Sequence, residues 1–385
     1  MDFEFTDDQQ ALRASVRSVL ERHCPISLVR DVVEKGAPVG PLWEQMVALD
    51  WQALTVPADA GGLGLGYVEL AVVLEELGRV VAPGPLSATV TQLVPAVREA
   101  GSAEQRRRFL GQVAQGRVTG TLALAEAGGR WTAGDVATVA RPLEGAWSLT
   151  GVKRWVVDGV TADEMVVAAR LEGTSGEDGI GLFVVPGDAV RAQPVASLDA
   201  SRQHATVRLE EAVVGADRVL GPPGSAAVGR ALRRAVEEAT AAVAIETLGT
   251  CQSIFDIALE YAKVRRQFGV PIGSFQALKH KFADMYVALE RARSLCYFAA
   301  LAIAEEDERR SLAVAMAKSA AGECQQLVAQ DGVQALGGIG FTWEHDMHLY
   351  VKRAKAGDAV FGTAREHRAR VAELVGLGPP GRRPA

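Results

Sequence analysis

The spacing of hydrophobic residues changes twice along the chain. Up to about residue 117 apolar residues recur every three or four positions, which is the period of one helix face. This pattern predicts helices over 7–23, 41–49, 67–78, 85–100 and 102–115. The spacing of Thr6 and Gln9 predicts a capping box at the start of the first helix.

A different pattern follows from about residue 118 to 220, where short runs rich in β-branched residues are divided by Gly, Asp and Pro. These runs predict an antiparallel sheet or small barrel, and no long helices alternate with them as a doubly wound parallel sheet would require. Helical periodicity then returns in four long segments, 225–264, 273–305, 308–335 and 343–374, which predict a helical bundle.

The predicted fold class is therefore mostly α with a central β domain. We expect an N-terminal all-helical domain over 1–117, a middle antiparallel β domain over 118–224, a C-terminal four-helix bundle over 225–375 and a flexible tail over 376–385. Hydrophobic residues make up 48% of the chain, enough for a sizeable core.

Composition excludes several classes of function. The net charge of −6 and the lack of a basic block argue against nucleic-acid binding. The four cysteines are far apart with no CxxC pair, as in proteins of a reducing compartment. The first residues are acidic, and no run approaches the ~18 apolar residues of a membrane span, so we expect a cytoplasmic protein.

Two motifs do not indicate a ligand site. GGLGLG at 61–66 lacks the preceding strand of a dinucleotide fingerprint, so we interpret it as a glycine-rich turn. His345 and His348 are three residues apart, but no third ligand has convincing spacing, so no metal site is predicted.

The stretch YAKVRRQFGVPIGSFQ, residues 261–276, is more informative. A helix is expected to end near Arg265, and a second helix to open at Gly273 with Gln276 one turn inside it. Arginine forks and the free N–H groups of a helix start suit an anion such as phosphate. A surface loop with an Arg–carboxylate pair explains this stretch alone equally well.

Two further stretches are compatible with a ligand. In QALGGIGF, Gln334 precedes Gly337 and Gly338, where the backbone can approach a ligand closely, although a helix C-cap is the simpler reading. In TGVKRWVVDG, Trp155 is a flat ring in a strand; most such tryptophans are core residues, and a minority stack on flat ligands.

Taken together, these pieces resemble the acyl-CoA dehydrogenases. RRQFG-PI-SFQ, QALGG, the Trp-containing turn, VPADAGGLGLG and LEELGR occur in that family's order, over residues 3 to about 375. GGIGFTWEHDMHLY and SLDASRQHATVRLEE look closest to an actinobacterial subgroup acting on steroid side chains and other bulky acyl-CoA thioesters. Several members of that subgroup work as two unlike subunits.

The resemblance implies FAD as cofactor, a 2,3-enoyl-CoA product and reoxidation by an electron-transfer flavoprotein. It also implies two groups of FAD contacts. The bundle-end set would hold the FAD of a neighbouring subunit: Arg265, Gln267, Phe268, Gln276, Gln334, Gly337 and Gly338. The ring-side set would contact this chain's own flavin: Ala125, Trp155 and Val157.

The catalytic base departs from the family pattern. The family usually places its Glu just before a Gly-Thr near the C-terminus, where this chain has Phe361. Some members move the base to a position that falls here at Ala239, one residue from Glu238, and one residue turns a helix by about 100°. Glu246 lies two turns on and is a second candidate, with a structural ion pair as the alternative.

The flavin loop also departs, reading AEAGGRW at 125–131 without the family's hydroxyl groups, and Val157 replaces a threonine beside the ring. The ring-side set therefore looks altered while the bundle-end set looks intact. This split favours an obligate partner subunit in a heterotetramer with a homologous dehydrogenase chain.

Two alternatives stay open. The first is a self-sufficient homodimer or homotetramer that uses Glu238 or Glu246 as its base. The second is a non-redox scaffold or acyl-CoA-binding protein that has lost the chemistry of the family.

Overall fold

The structure, a computed structural model, describes residues 5–176 and 179–377. Contacts divide the chain into two compact units, each built from separate segments. The first unit combines 1–37, 67–82 and 240–385, and the second combines 38–66 and 83–239. The helical, β, helical order of elements along the chain is as predicted.

The N-terminal region is helical throughout. Its α-helices are α1 Asp7–His23, α2 Ile26–Lys35, α3 Gly40–Ala48, α4 Tyr67–Arg79, α5 Leu86–Ala88, α6 Val94–Ala100, α7 Ala103–Gln105 and α8 Gly111–Ala114. The capping box is confirmed, because the Thr6 hydroxyl accepts from the Gln9 backbone N–H and the Gln9 side chain accepts from Thr6 N–H. Helix α2 was not predicted.

Each of the two predicted helices over 85–100 and 102–115 contains a π-helical turn, at Thr89–Leu93 and Arg106–Leu110. The first turn directs two buried side chains at the first strand, β1 (Gly120–Ala123). Thr89 Oγ1 accepts from Gly120 N at 3.0 Å, and Gln92 Oε1 accepts from Leu122 N at 3.3 Å. These side chains therefore satisfy backbone donors that would otherwise be buried without a partner.

An eight-stranded sheet forms the middle of the chain. After β1 its strands are β2 Val139–Leu143, β3 Ala146–Val157, β4 Glu164–Leu171, β5 Ile180–Pro186, β6 Arg191–Val195, β7 His204–Gly215 and β8 Val219–Leu220. The strand order is β6-β7-β3-β2-β4-β5-β8, with β1 beside β4. Pairing is antiparallel as predicted, except that β4 pairs in parallel with both β1 and β2.

Both faces of this sheet bury apolar residues. One cluster gathers Val156 of β3 with Ala205 and Val207 of β7. The other packs strand residues such as Leu122 and Val166 against the helices of the second unit.

The C-terminal part begins with α9 Ala226–Val264 and a short hairpin of β9 Arg266–Gln267 and β10 Val270–Pro271. Helices α10 Gln276–Ala304, α11 Arg310–Leu336, α12 Met347–Ala359 and α13 Ala364–Ala372 follow. The prediction of one helix over 343–374 was wrong. Helix α12 ends at Ala359, and Phe361 and Gly362 in the following turn have positive φ angles of 57° and 97°.

Helix α9 is the one helix in the described ranges whose length and composition would suit a membrane span. Of the most apolar 18-residue window of α9, 78% is buried inside the protein, as is usual for a core helix.

The GGLGLG stretch forms a turn ahead of α4, as interpreted from the sequence. A Cβ on Gly62 would lie 2.1 Å from the Val56 carbonyl oxygen, so close backbone packing explains this glycine.

Candidate functional site

Helix register brings the bundle-end set to one level of the first unit. Lys281 of α10 pairs with Asp331 of α11 at 2.5 Å, and Arg291 pairs with Glu323, so these helices are antiparallel. Five residues separate Lys281 from Gln276, and five separate Asp331 from Leu336. The start of α10 and the end of α11 therefore lie side by side.

Helix α9 ends at the same level. Its Gln252 bonds Arg293 of α10 at 2.7 Å and its Phe255 stacks edge-on against Phe282, so α9 also runs antiparallel to α10. From the Phe255–Phe282 contact, six residues lead back to the start of α10 and nine lead on to the end of α9. At 1.5 Å per residue the two ends differ by less than one turn.

The polar members of the bundle-end set face solvent. Arg265, Gln267, Gln276 and Gln334 are exposed. Within residues 5–176 and 179–377, none of their side chains hydrogen-bonds or ion-pairs with protein. The Arg–carboxylate pair considered for this loop does not form at Arg265, and one arginine and three amides remain available to a ligand.

Gln276 differs from its predicted place. It is the first residue of α10 rather than one turn inside it, because Ile272–Ser274 forms a 3₁₀ turn and Phe275 stays extended. A side chain at the first position of a helix lies beside the unbonded N–H groups of the first turn, which suit an anion.

The hairpin between α9 and α10 presents an aromatic side chain. Phe268 and Gly269 have φ angles of 51° and 82°, as the tight two-residue turn of a hairpin requires. The Phe268 ring is 93% exposed and meets Phe275 edge-on at 6.2 Å. Arg266 braces the turn through the Gly269 carbonyl at 2.8 Å.

Two glycines end α11. Gly337 caps the helix by donating to the carbonyls of Gln334 and Val333, and its φ of 67° with ψ of −141° is available to glycine alone. A Cβ on Gly338 would meet nothing within 4 Å, and its φ is not in the positive range. No contact in the described part of the chain requires glycine at 338, so space for an external group beside the backbone remains.

The ring-side set lies in the second unit. Trp155 is 40% exposed with a φ of 57°, at a register shift of β3 against β7, so it is not a core residue of this chain. Its contact with a flavin ring stays a prediction. Val157 and Ala125 are buried. Arg154 N–H donates to the Ala125 carbonyl at 2.8 Å and fixes that segment to β3.

A buried ion pair holds the backbone next to this set. Lys153 is fully buried, and its Nζ donates to Glu126 at 2.7 Å and to the Leu124 carbonyl at 3.2 Å. Glu126 also accepts from Ala137 N–H and from both N–H and O–H of Thr138. Segment 124–126 is thereby tied to β3 immediately before Trp155.

Burial changes the pKa values of this pair. It lowers the pKa of Lys153 to about 8, against the opposing charge of Glu126. Burial also raises the pKa of Glu126, but the charge of Lys153 and the hydrogen bonds from Thr138 outweigh it and hold that pKa below its usual value.

Side chains of other residues hold the turn that carries Phe361 by contacts to its backbone carbonyls. Phe361 is buried, and its carbonyl lies 2.8 Å from His367 Nε2. Lys318 of α11 is also buried and donates to the carbonyls of Gly357, Asp358 and Gly362 at 2.7–2.8 Å. Lys318 thus satisfies the open carbonyls at the end of α12.

Glu238 is engaged in an ion pair. It is buried, and its Oε1 lies 2.5 Å from Arg98 Nη2 of α6. Arg98 also meets Glu99, which accepts from Arg234 at 2.7 Å. These contacts fasten the first part of α9 to α6.

Glu246 lies where α9 crosses α4. It is buried, and a Cβ on Gly78 would come within 2.1 Å of the Glu246 carbonyl oxygen. Gly249 makes the same close approach to Glu75, so the two helix backbones nearly touch. The catalytic roles considered for Glu238 and Glu246 stay predictions.

The two histidines of the C-terminal segment have protein contacts. His345 Nδ1 accepts from Met347 N–H at 3.0 Å, and the His348 ring stacks on Trp343. In the described part of the chain no three His, Cys, Asp or Glu residues are grouped to hold a metal ion.

Sequence reasoning missed the buried lysines. Neither Lys153 nor Lys318 stood out, because one lysine in a strand or helix is normally solvated and its acceptors lie 27 or more residues away along the chain. A signal for the break near Phe361 was present, since Gly362 is followed by Thr363 and Glu366, which form a capping box.

Comparison with known proteins defines the class of this chain. The family description "Acyl-CoA dehydrogenase, N-terminal domain" matches residues 6–117, and "Acyl-CoA dehydrogenase, C-terminal domain" matches residues 229–376. The chain belongs to the acyl-CoA dehydrogenase family of oxidoreductases.

Individual relatives are similar over nearly their whole length. The acyl-CoA dehydrogenase IpdE2 of Mycobacterium tuberculosis is 32% identical over 366 residues, covering 94% of this chain and 95% of that protein. A chain of the ChsE4–ChsE5 complex of Mycobacterium tuberculosis is 26% identical with a TM-score of 0.87, covering 98% of this chain and all of the other. A chain of the steroid ACAD Tcur3481–Tcur3483 is 29% identical with a TM-score of 0.84, covering 96% and 98%.

Proposed function

We propose that this chain is a subunit of an FAD-dependent acyl-CoA dehydrogenase that introduces a 2,3 double bond into a bulky acyl-CoA thioester. It works with a homologous catalytic chain in a heterotetramer, and an electron-transfer flavoprotein receives the electrons. The actinobacterial relatives, one named as a steroid ACAD, support a steroid-derived acyl group.

One observation carries this proposal. Arg265, Gln267, Gln276 and Gln334 converge at one end of a bundle and have no protein partner in the described ranges. A guanidinium fork, several amide donors and the first turn of a helix suit the diphosphate of a dinucleotide. The open space beside Gly338 leaves room for the approach of its backbone.

These features fit FAD, whose flavin ring supplies hydride acceptance when it is bound. In this chain Arg265 and Gln276 would hold the diphosphate region, and Gln334 with Gly338 would line the same site.

Exposed apolar side chains at this end support a partner chain. Phe268 is 93% exposed, Phe341 82% and Ile339 43%. Grouped apolar exposure of this kind is typical of a protein interface. A homodimer or homotetramer could cover the same side chains, so the identity of the partner depends on the catalytic base.

The residue at position 361 favours an unlike partner. The buried Phe361 cannot accept a proton, while Glu238 is already paired with Arg98. One of the similar structures is named as a complex of two differently named chains, and the name of another joins two chain names. A catalytic carboxylate from a homologous chain would complete the reaction.

Purification of this chain alone and with a co-expressed homologous dehydrogenase chain tests the proposal. Alone, we expect no stoichiometric FAD and no desaturation of an acyl-CoA. Together, we expect the flavin absorption bands and turnover. A yellow, active homo-oligomer would exclude the partner-subunit role, and acyl-CoA binding without flavin in both preparations would support the non-redox alternative.

Variants of the two buried glutamates separate the partner subunit from a self-sufficient enzyme. We expect Glu238→Gln and Glu246→Gln to leave kcat of the assembled enzyme within about twofold, because neither removes the proton acceptor. We expect Glu238→Gln to lower Tm, because it breaks a buried ion pair. Loss of turnover with FAD retained in either variant would identify that residue as the base.

A further inference from the structure

The ten residues after α11 form what we call the glycine loop, residues 337–346. It begins with two consecutive glycines, and its Ile339 and Phe341 are exposed. Thr342 makes a local turn through the Ile339 carbonyl. Gly337–Phe341 forms a single short 3₁₀ helix, which is too short to be stable alone, so a defined direction of this loop needs further attachment.

That attachment is centred on Trp343. The indole ring stacks on His348 at 4.4 Å with an interplanar angle of 18°, and Lys352 Nζ lies 4.2 Å from the ring centroid. Indole Nε1 donates to Glu34 of α2 at 2.7 Å. We call this group of side chains the Trp343 clamp.

Arg30 of α2 completes the clamp. Its guanidinium donates to the Trp343 carbonyl at 2.9 Å, to Glu34 at 2.8 Å and to Asp346 at 2.7 Å. One arginine thus joins α2 to both the middle and the end of the glycine loop. Burial and the charges of Lys352 and Arg30 lower the pKa of His348, which favours the neutral form of the stacked imidazole.

Core packing explains these contacts poorly. The Trp343 side chain is 52% exposed, so its burial provides only part of what a core tryptophan provides. Its hydrogen bond, stack and cation contact instead restrain the ring in three directions. They act on the one loop that carries Gly337 and Gly338.

We infer that the Trp343 clamp is a positioning element for the dinucleotide-binding end of the bundle. It fixes the direction in which the glycine loop leaves α11, so that the backbone of Gly338 faces a bound FAD beside Gln334. Trp343 and Arg30 act through the loop and do not touch the ligand. This inference rests on the proposed function.

The test measures FAD affinity by reconstituting the apo form of the assembled two-chain enzyme. We expect Trp343→Ala to raise the Kd for FAD about tenfold, because the ligand must then fix the direction of the loop that the clamp no longer holds. Trp343→Phe, which keeps the stacking surface, is expected to restore most of that loss. Glu34→Gln, on the surface of α2, is expected to weaken binding less than Trp343→Ala.

Tyr286→Ala is the matched control. Tyr286 is also a half-exposed aromatic residue of the first unit, 53% exposed, but it lies ten residues inside α10. We expect this variant to lower Tm about as much as Trp343→Ala while changing the Kd less than twofold.

The outcomes distinguish the positioning role from the proposed function. Wild-type affinity in Trp343→Ala and Glu34→Gln, together with weak binding by Arg265→Gln, would overturn the positioning role and leave the proposed function standing. If Tyr286→Ala loses as much affinity for FAD as Trp343→Ala, the clamp contributes only to the general stability of the protein. Absence of FAD from the wild-type assembly would overturn both.

Discussion

Replacing Arg265 with glutamine is expected to weaken FAD binding by the assembled enzyme about tenfold to a hundredfold. The guanidinium is exposed and makes no hydrogen bond or ion pair with protein in the described ranges, so its removal breaks no internal bond. A charge-assisted hydrogen bond to phosphate contributes about 1.5–3 kcal/mol, which corresponds to this range of Kd. Fluorescence titration of the apo assembly with FAD provides the measurement.

Lys263→Gln controls for the loss of positive charge near the site. Lys263 lies two residues earlier on α9 and pairs with Glu260 at 2.6 Å, so it is already neutralised on the surface. We expect its Kd to stay within about twofold of wild type, since a screened surface charge contributes little. An equal rise in the Kd for FAD in Lys263→Gln and Arg265→Gln would contradict a specific phosphate contact. An unchanged Kd in Arg265→Gln would contradict it as well.

Replacing Lys153 with methionine is expected to lower the free energy of unfolding by roughly 3–5 kcal/mol at pH 7, as when one partner of a buried ion pair is removed. Glu126 would keep its hydrogen bonds from Ala137 and Thr138 but lose its counter-ion. Denaturant titration followed by circular dichroism measures the change. Lys35→Met, at an exposed lysine paired with Asp31, is the control and should change stability little.

The pH dependence of this difference has a defined sign. The pKa of Lys153 is about 8 in the folded protein and near 10.5 in the unfolded chain. Between these values the unfolded chain binds more protons, so the free energy of unfolding rises with pH. The variant lacks this contribution, so the gap to wild type should widen by up to about 3 kcal/mol from pH 8 to 10.5. A constant or shrinking gap would contradict a Lys153 pKa that burial depresses against the charge of Glu126.

Element types and their order were predictable because apolar periodicity is strong in this chain. Short helices and breaks within helical segments were harder to predict from the sequence. Helix α2 was missed although Ile26, Val29 and Val33 recur at helical spacing in its ten residues, and although Pro25 and the left-handed Gly36 mark its ends. The break after α12 was missed although Gly362 and the capping-box residues Thr363 and Glu366 mark it.

The candidate site was predictable only in part. The residue types of the bundle-end set indicated an anion site, but the register that places Arg265 level with Gln276 and Leu336 comes from pairs such as Lys281–Asp331. The exposure of Trp155 depends on a register shift between β3 and β7, which are separated by 46 residues. Long-range pairing of this kind leaves no local mark in the sequence.

All three hydrogen bonds that the Lys318 ammonium donates around position 361 go to main-chain oxygens. These hydrogen bonds are therefore independent of the side chain at position 361, although that side chain is itself buried. After a gene duplication, a substitution at this position would leave them in place. Two sister polypeptides could then differ in chemistry and keep the same main-chain anchor.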